Sequence, residues 1–171
     1  DISRPEAPVV VGSVHGWLSR RLTIAGDYVY VADDAAGLRV VNVSDPAGPF
    51  IEATLSTGGF AYGVAVHGSY AYVADAVTGL VVVDVSSPGS PQTVTTLGIG
   101  SPQDVTIAGT FAFVAAQDTG LRVVDISDPE SPDLRRSMGT TFASGVDVQG
   151  RYACLADGAG GLRVVRLWRD W

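Results

Sequence analysis

The sequence has 171 residues, enough to fill one sizeable core, and 46% of them are hydrophobic, which excludes a disordered chain. Its 18 acidic and 11 basic residues give a net charge of −7, which disfavours nucleic acid or a membrane surface as the main partner. Gly, Asp, Ser or Pro interrupts every apolar stretch well before the roughly 18 apolar residues that span a bilayer.

One sequence motif is repeated four times along the chain. A glycine-leucine pair recurs at intervals of 42, 41 and 41 residues. The pair occurs at Gly37-Leu38, Gly79-Leu80, Gly120-Leu121 and Gly161-Leu162. A fixed period of this size is typical of stacked or radially arranged units. We therefore divide a single domain, residues 1–171, into repeats at approximately 15–55, 56–97, 98–138 and 139–171, the last completed by residues 1–14.

The chain opens where a repeat ends, because Asp1–Pro8 aligns without a gap on Asp125–Pro132. The β-branched run Val9–Val14 follows and is predicted to be a strand. Similar runs after the later prolines predict equivalent strands at Phe50–Leu55, Gln92–Leu97 and Asp133–Met138.

Each repeat then predicts three more strands. A short run such as Leu22–Ala25 alternates large apolar with small or polar residues, which is typical of a strand buried on one face. A glycine permits a tight turn, and an aromatic strand such as Tyr70–Ala74 follows. A second turn ends in the glycine-leucine pair, and a valine-rich strand such as Arg39–Val43 runs to the prolines. Each period therefore holds four strands and no segment with helical spacing.

Four short antiparallel strands form a sheet that cannot bury both faces alone. Packing such sheets face to face around an axis gives a β-propeller. The phrases Gly120–Pro129 (GLRVVDISDP) and Tyr70–Asp75 (YAYVAD) resemble the LVIVD-repeat family, bacterial sequences with β-propeller folds. The resemblance covers essentially the whole chain and implies the fold, but the repeat marks blade geometry and not a reaction. The last copy departs from the pattern, because Arg166–Trp171 replaces Asp-Ile-Ser-Asp-Pro.

The predicted fold class is all-β, a propeller of four-stranded antiparallel blades, with four blades' worth of strands. The final blade lacks an outer strand, and the N-terminal run Val9–Val14 can complete it, which would protect edges that otherwise aggregate. Three assemblies stay open: one four-bladed ring, a fragment of a longer propeller, and a homodimer. In the homodimer, two chains exchange terminal strands and form an eight-bladed ring, the width that compact blades favour.

One end of the predicted propeller departs most from the repeat. The positions just before the inner strands carry Arg20-Arg21, Tyr62-Gly63, Gln103-Asp104 and Ser144-Gly145. Such variety suits either a surface free to drift or a binding site. Because inner-strand ends converge at the axial mouth, we predict a site for a protein or small polar ligand there. Its residues are Arg20, Arg21, Tyr62, Gln103 and Asp104, with His15 and Trp17 at the rim.

The chemistry expected at this mouth follows from the residue types. The two arginines would hold an anionic or carbonyl oxygen through paired donors, and Asp104 would orient them or accept a hydrogen bond from the ligand. Tyr62 would offer an apolar face with a polar tip. The competing interpretation is that Arg21 and Asp104 neutralise each other across the mouth. Phe60 and Phe142, with Trp17, either close this face or stack on a planar ligand.

Acidic residues follow the aromatic strands on the same face of the propeller. They are Asp33, Asp75, Asp118 beside Gln117, and Asp157. Aspartate before a glycine-closed turn commonly caps its own backbone amides, and the alternative is a carboxylate ring that binds a cation. No spacing matches the Asp-x-Asp-x-Asp-Gly calcium loop, so we predict no metal.

No catalytic group is predicted. The only histidines are His15 and His67, no Gly-x-Ser-x-Gly elbow is present, and the absence of lysine excludes a Schiff-base amine. Cys154, the single cysteine, lies in an apolar strand phrase and is predicted to be a small core residue.

The leading functional prediction is a non-enzymatic binding or scaffold module, without a cofactor, of an exported bacterial protein. An extracellular or cell-envelope location fits the first residue, Asp1, which is compatible with removal of a signal peptide. The alternative is an enzyme, a lyase, cyclase or hydrolase of secondary metabolism, with its pocket at the channel mouth.

Overall fold

The computed structural model describes residues 7–15 and 18–167, and in these residues the chain forms four antiparallel sheets. The first sheet contains β1 (Arg21–Ala25), β2 (Tyr28–Ala32), β3 (Leu38–Asn42) and β4 (Phe50–Leu55). The second contains β5 (Ala61–His67), β6 (Tyr70–Asp75), β7 (Gly79–Asp84) and β8 (Gln92–Leu97). The third contains β9 (Asp104–Ala108), β10 (Phe111–Ala115), β11 (Leu121–Asp125) and β12 (Asp133–Met138). The fourth contains β13 (Gly145–Gln149), β14 (Tyr152–Ala156) and β15 (Leu162–Arg166).

Each sheet is one β-propeller blade whose strands follow chain order, which confirms the predicted fold class. The helical content of the described residues is one 3-10 turn, Gly158–Gly160, so no helix there could span a bilayer. The inner strands β1, β5, β9 and β13 pack side by side in that order. The amino ends of these strands therefore meet near one axis.

The blades pack face to face, and the second blade shows why its strands are apolar throughout. We call the side of a blade that packs on the next blade its forward face, and the other side its backward face. Tyr72, Leu80 and Val82 lie on the forward face of the second blade, while Val73 and Val81 lie on its backward face. Successive side chains of a strand point to opposite faces. Because both faces are buried, β6 and β7 have no polar alternation.

The repeated glycine of the glycine-leucine pair is required on two grounds. Gly79 has φ +106°, in the region that favours glycine, and a Cβ placed on it would lie 2.3 Å from the carbonyl oxygen of Leu97 at the end of the outer strand. Gly37 and Gly120 are equally close to their outer strands. Gly161 also has a positive φ, +71°, but no atom lies within 4 Å of its Cβ position. The fourth blade has no outer strand there.

The predicted N-terminal strand is not paired in this structure. Among the described residues, 9–15 belong to no sheet, and the fourth blade has three strands. A Cβ on Gly12 would lie 2.1 Å from the carbonyl oxygen of Pro46, so this segment runs against the connection between β3 and β4 of the first blade. Completing the fourth blade within one chain would require the first and fourth blades to pack together, but Leu22 of the first and Leu162 of the fourth are both exposed.

The prediction that Cys154 is a core residue is wrong, because its side chain is exposed. Cys154 lies on the forward face of the last blade, at the position that Tyr30, Tyr72 and Phe113 occupy in the other blades. Those three residues are buried by the next blade. Among residues 7–15 and 18–167 no blade packs on this face of the fourth blade, so the same strand position faces outwards.

Candidate binding site at the axial mouth

A polar cavity of about 340 Å³ opens at the mouth where the inner strands begin. Four of the residues predicted from the sequence line it: Arg20, Arg21, Tyr62 and Gln103. The rest of its lining is Gln117 and Ser144. All four blades thus contribute to one cavity, each with a different side chain.

Tyr62 reaches this cavity through a β-bulge. In β5, Ala61 pairs with Asp75 and Gly63 pairs with Ala74, so Tyr62 is the extra residue on its strand. We call the connection from the outer strand of one blade to the inner strand of the next a crossing. The crossing from Leu55 to Gly63 is one residue longer than the later crossings, which accounts for the 42-residue first interval. Bulges commonly re-aim a side chain beside a functional site. Here the bulge places an aromatic ring at the mouth in one blade only.

Arg20 is held in position by two neighbours. Its Nε donates to Asp34 Oδ2 at 2.8 Å, and Nη2 donates to the same oxygen. The carbon at the centre of its guanidinium lies 5.1 Å from the centroid of the Tyr62 ring, within the range of a cation–π interaction. The hydrogen bond and the charge of Asp34 raise the pKa of Arg20. Because a guanidinium has five N–H donors, Arg20 keeps donors for a ligand while its orientation is restricted.

Asp104 connects three blades below the mouth. Its Oδ1 lies 3.1 Å from Arg21 Nε of the first blade, and its Oδ2 accepts the Val146 backbone N–H of the fourth blade at 2.9 Å. Burial raises the pKa of Asp104, and the Val146 N–H and the charge of Arg21 offset that effect only in part. The ion pair between Arg21 and Asp104, which the competing interpretation from the sequence expected, is therefore present. Asp104 lines a second, deeper cavity of about 550 Å³, which Arg20 and Arg21 also border.

Of the two predicted rim residues, His15 lines neither cavity. His15 is exposed, and its Nε2 lies 2.9 Å from Ser13 Oγ. Trp17 lies outside the described residues. Phe60 and Phe142 are both exposed. A role for His15 or Trp17 in binding stays a prediction.

Three of the turn aspartates, Asp33, Asp75 and Asp157, are buried, and Asp75 caps its own turn as predicted. Asp75 Oδ1 accepts the backbone N–H groups of Val77 and Thr78 at 3.0 and 2.9 Å, and Oδ2 accepts the Thr57 hydroxyl at 2.6 Å. Burial raises the pKa of Asp75, but these hydrogen bonds outweigh it and lower the pKa overall. The carboxylate is fully engaged inside its blade.

The equivalent aspartates of the first and fourth blades bind the preceding crossing instead. Asp33 accepts the Leu18 N–H at 2.9 Å and pairs with Arg39. Asp157 accepts the Phe142 N–H at 2.6 Å and pairs with Arg163. Burial raises the pKa of Asp157, but the hydrogen bonds from the Phe142 N–H and Arg163 outweigh burial and bring the pKa well below its usual range.

The third blade carries an alanine, Ala116, at this turn position, and Asp118 is exposed two residues later. The predicted alternative, a carboxylate ring for a cation, is therefore not formed by these side chains. Within residues 7–15 and 18–167, no group of three or more His, Cys, Asp or Glu side chains is arranged to hold a metal ion.

Comparison with known families agrees with the repeat described above. The model of the LVIVD repeat matches residues 18–57, 58–97, 99–140 and 142–165. The chain belongs to the LVIVD-repeat family. A search of curated protein sequences gives no match.

Solved structures share the fold of this LVIVD-repeat protein at low sequence identity. The computationally designed Ika4 protein superposes with a TM-score of 0.74 at 11% identity, over 95% of this chain and 99% of Ika4. The designed Ika8 protein gives a TM-score of 0.69 at 11% identity, over 87% of this chain and 46% of Ika8. U3-55K gives 0.74 at 12% identity, over 91% of this chain and 50% of U3-55K. The LVIVD-repeat chain thus spans about half the length of Ika8 and U3-55K, and the likeness shows the fold alone.

Proposed function

We propose that this LVIVD-repeat protein is a non-enzymatic binding module that holds a small polar ligand at the axial mouth. The observation that carries the proposal is the cavity of about 340 Å³ to which every blade contributes a different polar side chain. If the repeat served only to build blades, the side chains at the mouth would have no need to differ from blade to blade. Export of this module from a bacterial cell stays a prediction from the sequence.

The lining indicates the chemistry of the ligand. Arg20 and Arg21 offer guanidinium N–H groups, but a carboxylate already balances each positive charge. The Gln103 side-chain amide donates to the Ser101 and Pro102 carbonyls, which leaves its oxygen available as an acceptor. A small molecule with a carboxylate or carbonyl group and a neighbouring hydroxyl or amine matches these groups.

The pairing of the charged groups favours binding over chemistry. A general acid or base must reach the reacting atom with a free proton or lone pair. Arg20 is engaged by Asp34 and Tyr62, and both oxygens of Asp104 accept hydrogen bonds or ion pairs from the protein. Such pairing orients donors in advance of binding, which reduces the entropy cost of holding a ligand.

One observation favours the enzyme as a second candidate. Asp104 is buried in the deeper cavity, and burial raises its pKa, as is common for catalytic acids. An enzyme would require Asp104 to exchange its bond with Arg21 or Val146 for one with the substrate. An Asp104→Asn variant that binds ligand normally but loses turnover of that ligand would favour this candidate.

Calorimetric titration tests the binding proposal. The probes are acetate, succinate, citrate and glucuronate, with glucose as a neutral comparison, at constant ionic strength. We expect at least one carboxylate to bind, and Arg20→Gln and Tyr62→Ala to weaken it about tenfold or more, since each removes a charged or aromatic contact worth over 1.4 kcal/mol.

Arg135→Gln is the matched control. Arg135 is also half-exposed and paired with an aspartate, but it lies on outer strand β12 and lines neither cavity. Its variant should bind like the parent protein. If no carboxylate binds, or if Arg20→Gln and Tyr62→Ala bind every probe as the parent does, the proposed site is wrong.

A further inference from the structure

The forward face of the last blade is an unpartnered apolar sheet surface. Leu162 is 72% exposed and Val164 is 61% exposed, and Cys154 and Tyr152 lie exposed beside them. The equivalent residues of the second blade, Leu80 and Val82, are completely buried, as are their counterparts in the first. This face has the composition of an interblade interface without the neighbouring blade.

Inner strand β1 is exposed on the backward face of the first blade, whereas Val31 and Val41 on the same face are buried. Leu22 is 59% exposed and Ile24 is 66% exposed on inner strand β1. The residue equivalent to Leu22 is Val64 in the second blade and Val105 in the third, and both are buried against the preceding blade. One chain therefore exposes the forward face of its last blade and the inner strand of its first blade, two surfaces that are buried at its internal interfaces.

From these two faces we infer that the partner is a second copy of this chain. The forward face of each last blade packs on the backward face of the other chain's first blade. Two identical interfaces related by a two-fold axis then close a ring of eight blades, four from each copy. A single chain does not make this contact, because its two faces are exposed at opposite ends of the row β1, β5, β9, β13.

An independent observation points to the same partner. In the first three blades the turn glycine lies against the outer strand, with its Cβ position 2.0–2.3 Å from a carbonyl oxygen, but at Gly161 that space is open. The outer edge of β15 is unpaired. The only outer-strand sequence without a sheet among the described residues is Val9–Val14, whose side chains at 9, 10 and 11 are exposed.

The connectivity places Val9–Val14 of the second copy at this edge. Within the chain, the outer strand of each blade leads directly to the inner strand of the next blade. Val9–Val14 leads to β1 in the same way. When the first blade of the second copy packs on the forward face of the fourth blade, its segment 9–14 therefore lies beside β15 and adds the missing strand.

Mass and thiol reactivity test the inference together. The dimer has a mass of about 35 kDa, twice the 17.7 kDa of the chain, in sedimentation equilibrium or light scattering. Cys154, the single cysteine, becomes buried in the dimer as Tyr72 and Phe113 are buried in the chain. We expect iodoacetamide to label it at least about tenfold more slowly than in the unfolded protein.

Two variants and a control locate the interface. Leu162→Asp on the forward face, or Leu22→Asp on the backward face, places a charge in the contact and should give a 17.7 kDa species with a reactive Cys154. Val77→Asp is the control, because Val77 is 64% exposed in a turn away from both faces, and this variant should stay dimeric.

Several outcomes would overturn the inference. They are a 17.7 kDa parent at micromolar concentration, a dimer in which Cys154 reacts as fast as in the unfolded chain, and open-ended oligomers. If one aspartate variant fails to fold, the other tests the same contact from its opposite side. The result is separate from the proposed ligand site, since a monomer could still bind a carboxylate at the mouth.

Discussion

The second and fourth blades have similar sequences but very different surroundings. Their central strands pair in the same register, with Leu80 opposite Ala74 and Leu162 opposite Ala156. Leu80 is buried, whereas Leu162 is exposed. The repeat phrase encodes a blade with two apolar faces, and the neighbouring blades decide whether those faces are buried. Stability in this fold therefore depends on interfaces between blades as much as on the blades themselves.

The largest difference in stability between the two blades is expected when Leu80 and Leu162 are each replaced with alanine. We expect Leu80→Ala to lower the free energy of unfolding by about 2–5 kcal/mol, because it leaves a cavity in a buried interface. Leu162→Ala should lower it by less than about 0.5 kcal/mol in dilute protein, where the residue is exposed. Urea denaturation at low protein concentration measures both. Equal losses would mean that the fourth blade is already covered.

Alanine at the turn glycines should separate backbone strain from contact with the outer strand. Gly79 and Gly161 both have a positive φ, so alanine strains the backbone by about 1–3 kcal/mol at either position. Gly79→Ala should cost about 1–3 kcal/mol more, because only its Cβ meets an outer-strand carbonyl. Urea denaturation of the two variants in dilute protein, where no second copy completes the fourth blade, gives the difference. A larger loss at Gly161 would contradict the absence of an outer strand at that turn.

The buried turn carboxylate of the second blade should make stability depend on pH. We expect Asp75→Asn to lower the free energy of unfolding by about 1.5–3 kcal/mol at pH 7, since it weakens hydrogen bonds to a charged acceptor. The pKa of Asp75 is lowered in the folded state, so its contribution is present above the unfolded value of 3.8 and is lost as the pH falls through the folded pKa.

The gap between the parent and Asp75→Asn should therefore narrow in denaturation experiments below pH 3.8. Asp118→Asn is the control, because Asp118 is exposed in the third blade, where alanine occupies the buried turn position. A gap that widens in acid would reverse the sign assigned to Asp75.

A smaller effect is expected from a buried hydroxyl. Tyr72 Oη has no hydrogen-bond partner, and burial raises the pKa of Tyr72 to about 12. The third blade carries Phe113 at the same position. Tyr72→Phe should raise the free energy of unfolding by about 0.5–1 kcal/mol, because it removes an unpaired polar group. Tyr152→Phe, at an exposed residue, should change thermal stability less.

The blades could be predicted from the sequence because their determinants are local. Glycine turns and alternating strands recur with a fixed period, and the structure confirms them as sheets of three or four strands. The mouth positions could also be predicted, since the residues just before the inner strands, among them Arg20, Tyr62 and Gln103, differ from one repeat to the next. Whether they bind a ligand stays a prediction.

The remaining features depend on contacts between segments that are distant in sequence. The strand sequence around Cys154 predicts a core residue, and its exposure follows because no part of the chain that the structure describes covers the forward face of its blade. The partners of Asp33 and Asp157, in crossings 15 residues earlier, were not predictable from turn chemistry alone. Gln117 joins the cavity because its turn approaches the next crossing, where its N–H bonds the Ala143 carbonyl.

The bulge at Tyr62 shows how an asymmetric mouth can arise in a protein built from one repeated type of blade. Insertion of one codon in the crossing before β5 adds an aromatic ring to the cavity, and the remaining pairs from Gly63 to His67 keep their register with β6. The sheet absorbs the extra residue locally. Single-codon insertions in the other crossings are therefore an accessible evolutionary route, and a compact library design, for diversifying the pocket without rebuilding the propeller.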